Sequence, residues 1–239
     1  MESNAKNQNL IHSYLALRKA VGWIGILLPF TLMLGLFLLF HADRILISIS
    51  QYYHSGMRDV LVGALCGIAL FLFFYRGYDN WGKINWDKWI TNTCGFLAIG
   101  IALFPATEKG QVDWVGSVHL ICASLFFILL ACYSMFVFTR SKPKITEQKK
   151  TRNRIYVTCG AVMFICLIVI LIYLKFGKTE NSKSCLVFWL ETFALIAFGI
   201  SWLTKGGTIC PDIDDNMEDE ASVTACYIQP DCQEKKSPF

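Results

Sequence analysis

An ionised side chain in bilayer hydrocarbon is costly unless it faces a partner or water. The residues of this chain best placed to do chemistry are therefore the few titratable ones inside its apolar runs, and three stand out: Asp59, His119 and Glu191. At helical spacing Asp59 shares a face with Gly63, Cys66 and Gly67, His119 with Gly116, Cys122 and Ala123, and Glu191 with Ala194 and Phe198. Small residues mark the faces on which membrane helices pack. The three side chains are accordingly expected to point inward and meet near one end of a bundle. The connection from His41 to Met57 closes that end and adds Ser48, Ser50, Tyr52, Tyr53 and His54. The expected polar pocket comprises His54, Arg58, Asp59, His119 and Glu191. Arg58 does not cancel Asp59, because adjacent residues on a helix point in different directions.

Two chemistries suit such a pocket. Imidazoles beside carboxylates are zinc ligands, so His54, Asp59 and His119 form a candidate zinc site with Glu191 as a further ligand or general base. A water on that metal would hydrolyse a lipid ester or amide. The plainer alternative needs no metal: hydrogen bonds among these groups hold helices together and contact lipid. Transport fits less well, because transporter sites sit near the midplane on broken helices, and Pro29 is the only proline inside a span.

The elements that must position these residues are apolar helices. The 239 residues are 54% hydrophobic and only 17% charged, and the charges fall in blocks between apolar runs, as in a membrane protein. The runs are 20–41, 57–75, 89–105, 114–138, 155–174 and 185–204, each compared with the roughly 20 residues a span needs. The third is the shortest, running from the Trp-rich stretch at 81–89 to Pro105. The expected fold is an all-α polytopic membrane protein, a six-helix transmembrane bundle over 20–205. An N-terminal segment, 1–19, precedes it and a flexible acidic tail, 206–239, follows.

Alternate connections carry sixteen Lys and Arg on one side and six on the other. The positive-inside rule then puts both termini in the cytosol, and it brings Asp59, His119 and Glu191 to the outer end. The expected location is the cell (inner) membrane, and the expected partners are the lipid bilayer and a specific lipid. Tyr52, Tyr53, Trp114 and Trp189 at the outer end, with Trp81, Trp86, Trp89 and Trp202 at the inner, read as aromatic belts.

Other classes are disfavoured by pattern. The net charge of +4 arises from cations beside apolar runs, where they orient helices and meet anionic headgroups, and no nucleic-acid motif accompanies them. Seven of the ten cysteines lie in or at the edge of spans, where cysteine behaves as a small hydrophobe, and no metal-binding Cys/His framework is present. Phosphate-binding, zinc-protease and nucleophile-elbow motifs are missing. The leading segment is too polar for a signal peptide.

Several short runs carry a resemblance. Ser48-Ile-Ser-Gln-Tyr-Tyr-His54 through Arg58-Asp59, Tyr75-Arg-Gly-Tyr78, Val118-His119-Leu with Phe126-Phe127, and Phe188-Trp-Leu-Glu191 with Phe198 resemble the bacterial membrane proteins grouped as DUF998. The His of the fourth run and the Glu of the sixth are more remotely similar to the six-span Frag1/DRAM/Sfk1 group. The resemblance covers about residues 15–205. It implies a six-span fold and, through the remote group, lipid handling. Ceramidase-like hydrolases also gather Ser, Asp and His near one membrane face, but they carry a paired His motif in the last span, where this chain has only Glu191.

Overall fold

The computed structural model describes residues 2–75, 86–107, 113–140, 147–177 and 184–210, with the backbone alone described at 2–14 and 86. Six long helices alternate with connections: α1 (Glu2–Phe40), α2 (Arg58–Phe74), α3 (Trp86–Leu103), α4 (Trp114–Cys132), α5 (Glu147–Ile172) and α6 (Leu186–Lys205). Single π turns extend α4 over Tyr133–Val137 and α5 over Tyr173–Gly177. Among the described residues there is no strand, as expected for an all-α chain. The acidic run, Cys226 and Cys232 of the expected tail and the loop residues 76–85 and 141–146 lie outside the described residues.

Among the described residues four segments are long and apolar enough to cross a membrane: Leu15–Phe40, Trp114–Val137, Glu147–Phe176 and Leu186–Lys205. This is fewer than the six runs expected. α2 has 17 residues, short of the roughly 20 that span hydrocarbon, and α3 carries Asp87, Lys88 and the polar Thr91-Asn92-Thr93 in its first half. The first helix also begins at Glu2 rather than near residue 20.

Each helix packs on the next in the chain, and α6 closes on α1, so the six form a ring, with α4 also touching α6 across it. The closure is tightest where two glycines meet. A Cβ on Gly199 would stand 2.5 Å from the Gly22 carbonyl oxygen, and one on Gly22 would stand 2.9 Å from that of Gly199. Only glycines let two helix backbones approach so closely.

One end of the ring is sealed by aromatics. Trp202 is 2% exposed and meets Tyr75 and Phe138 edge to face at 5.0 and 5.5 Å. Cations cover this cluster: Arg18 lies over Tyr75, Lys149 over Tyr156 and Lys205 over Phe138, at 5.3, 5.8 and 5.2 Å. Trp202 is thus a core residue and not part of a belt, because its position on α6 faces the ring interior. Trp89 and Trp114, at 68% and 70% exposure, do face outward as belt residues would. All eight described cysteines are free.

Candidate functional site

The opposite end is closed by the 41–57 connection, which folds back over the ring. His41 turns the chain off α1 with a φ of 49°. The ring of Phe40 fills the space a Cβ on Gly56 would need, and Met57 does the same at Gly35. Between these anchors, residues 50–54 form a 3-10 turn.

This turn and the residues that lead into it are stitched to α6, to α4 and to the connection between α3 and α4. Along α6 the Phe188 amide donates to Ile47 O at 3.0 Å, so one of the orphan donors of a helix start finds a partner. In return the Ile49 amide donates to Glu191 Oε2 at 2.5 Å. Toward the α3–α4 connection, Gln51 Nε2 donates to Thr107 O and His54 Nε2 to Ala106 O, at 2.8 and 2.7 Å. On α4, His119 Nδ1 donates to Phe104 O at 2.8 Å, and Nε2 lies 3.0 Å from Ser50 Oγ. Asp113 caps α4 by accepting from the Gly116 amide at 2.8 Å.

Beneath the turn lies a cavity of about 660 Å³, its open mouth counted. Its walls are apolar: Leu28 from α1, Leu61, Leu65 and Ile68 from α2, Ile101 from α3, Ala123, Phe126 and Phe127 from α4, and Leu195 from α6. Its polar groups, Ser50, Tyr53, His119 and Glu191, gather at the capped end. The lining is of the kind found in small-molecule sites, which are mostly apolar with a few placed polar groups.

The structure brings together two of the three in-span residues, His119 and Glu191, and not Asp59. Asp59 is exposed on α2, and at its companions Gly63 and Gly67 an added Cβ would meet nothing within 4 Å. The small-residue stripe of α2 faces outward, so the inward direction expected from it is corrected. Arg58 and His54 are also exposed at the rim. Arg58 Nη2 donates to Tyr53 Oη at 2.7 Å, with the guanidinium 4.5 Å above that ring.

The expected zinc set is likewise corrected. Among the described residues no three His, Cys, Asp or Glu stand close enough to hold a metal ion. His54 is turned to the Ala106 carbonyl, Asp59 faces outward and His119 spends both nitrogens on Phe104 and Ser50. Ser50 is the site residue that the sequence does not single out, being one polar residue among several in a cap. Its partner lies 69 residues away, and no local spacing announces that pairing.

Tyr52 differs from the belt residue expected. It is fully buried against Phe188, with ring centroids 6.0 Å apart, and among the described residues its hydroxyl has no hydrogen-bond partner. Burial pushes this phenol above its ordinary value. An unpaired buried polar group costs roughly 1–3 kcal/mol, so Tyr52→Phe is expected to raise the thermal unfolding temperature in detergent. A fall would mean that the hydroxyl is paired.

No family model matches the sequence, and no significant similarity to a curated protein or to a solved structure is found.

Proposed function

We propose that this chain is a six-span protein of a cell membrane, with both termini cytosolic, that binds lipid in the capped cavity. The observation that carries the reading is the cavity itself, apolar along its walls and polar only at the end under the 3-10 turn. An acyl chain matches the walls, and a hydroxyl, amide or ester matches Ser50, Tyr53, His119 and Glu191. Among the described residues no cation lines the cavity, while a carboxylate does, which disfavours an anionic headgroup inside it.

Membership of α2 and α3 in the closed ring supports their crossing with their neighbours. At 1.5 Å per residue they are about 26 Å long, close to the hydrocarbon thickness when upright or in a locally thinned bilayer. Sixteen cations against six support the orientation. On that orientation the cavity opens at outer-leaflet depth, and the kinship with DUF998 proteins proposed from the short motifs is compatible with this layout.

Mass spectrometry of lipid co-purifying with the full chain tests the reading. One neutral or amino-headed lipid enriched over the bulk extract is expected. Ala123→Trp, which fills the cavity from α4, should reduce it about tenfold or more, the effect of about 1.4 kcal/mol of lost affinity. Equal lipid in a folded Ala123→Trp protein would sink the proposal.

A further inference from the structure

We propose that Ser50 and His119 are a nucleophile and its base, acting on the acyl ester of a lipid in the cavity, an inference that rests on the lipid-binding reading above. The argument starts from the protons. A carbonyl oxygen only accepts, so His119 Nδ1, 2.8 Å from Phe104 O, carries a hydrogen. In the neutral imidazole Nε2 is then an acceptor, and Ser50 Oγ lies 3.0 Å from it. A hydroxyl, a base within hydrogen-bond reach and a third group orienting the base make up an activated nucleophile. Here the Phe104 carbonyl is the third group. The serine hydroxyl borders a cavity with apolar walls, where the ester end of an acyl chain would come to rest.

The turn supplies an electrophile as well. Residues i and i+3 of a 3-10 turn eclipse one another, so Tyr53 stands on the face of Ser50, and both line the cavity. Arg58 donates to Tyr53 Oη at 2.7 Å, which leaves the phenol its own hydrogen to donate and polarises that O–H. A donor of this kind, aimed where charge develops, is what a tetrahedral oxyanion needs. The Ile49 amide does not serve, because Glu191 already occupies it.

In the first step Ser50 Oγ attacks the ester carbonyl carbon and its proton passes to His119 Nε2. The carbon–alkoxy bond then breaks, and the alcohol leaves with that proton. In the second, a water attacks the acyl-serine while His119 takes its proton. The carbon–Oγ bond breaks, the fatty acid departs, and His119 returns the proton to Ser50.

The full chain in detergent is treated with an alkyl fluorophosphonate, which phosphonylates activated serines with release of fluoride. One adduct, at Ser50, is expected by peptide mass spectrometry. It should disappear in Ser50→Ala and form about 100-fold more slowly in His119→Gln. A slowing of similar size is expected in Tyr53→Phe, a variant that keeps the ring and its packing. No adduct at Ser50 in the wild type, or one forming at wild-type rate in both His119→Gln and Tyr53→Phe, overturns the proposal. Lipid measured in the same preparations separates the two readings. Unlabelled protein that carries lipid loses the nucleophile and keeps the binding site; labelled protein without lipid keeps the nucleophile and loses the binding reading.

Discussion

Gly199→Val is expected to cost about 3 kcal/mol of stability, the upper end of the usual overpacking range, and to open the contact between α1 and α6. The new Cβ would stand 2.5 Å from the Gly22 carbonyl oxygen and 2.5 Å from the Ile26 side chain. A side chain can rotate out of the way, but a backbone carbonyl in the middle of a helix cannot, so the helices themselves must separate. A glycine on another helix gives the control. On α2, a Cβ at Gly67 meets nothing within 4 Å, and Gly67→Ala should leave stability unchanged or raise it by up to about 1 kcal/mol through helix propensity. Thermal unfolding of the two variants in one detergent measures the contrast. Equal unfolding temperatures would mean that the α1–α6 contact is not the closing seam of the ring.

The second large effect is expected at Glu191. Its carboxylate accepts from the Ile49 amide, which stands at the head of a 3-10 turn, where the first amides find no carbonyl within the turn itself. Hydrogen bonds to a charged group contribute about 1.5–3 kcal/mol, and a buried donor left without a partner adds its desolvation cost. Glu191→Ala should therefore destabilise the protein by about 3 kcal/mol and loosen the hold of α6 on the 41–57 connection around Ile49, with loss of bound lipid. Glu191→Gln keeps an acceptor oxygen and should lose less than half as much. Hydrogen exchange at the Ile49 amide reads the event directly: exchange that is fast in Glu191→Ala and slow in the wild type is expected, and equal exchange would contradict the capping role.

The part of the fold carried by hydrophobic runs is legible in the sequence, and so is the importance of His119 and Glu191, because a titratable residue in an apolar run needs a physical reason to be there. Asp59 misleads through its neighbours. Gly63 and Gly67 suggest a packed face, yet small residues permit close packing without requiring it, and here they face outward. Trp202 and Tyr52 mislead by type, since tryptophan and tyrosine favour the interface on average, while the faces on which these two stand are buried. The pairings across 69 and 142 residues that build the site depend on how the ring closes, and composition does not encode that.

Closure of the ring by its first and last helices has a consequence for synthesis. The 41–57 connection leaves the ribosome early, but the carboxylate that fastens it lies 142 residues later, on the final helix. At translation rates of about 5–20 residues per second, the connection waits roughly seven to thirty seconds for this bond. Until α6 arrives, α1 and α5 lack the helix that packs against both. Glu191 and Leu195 of α6 thus follow every other residue that lines the cavity.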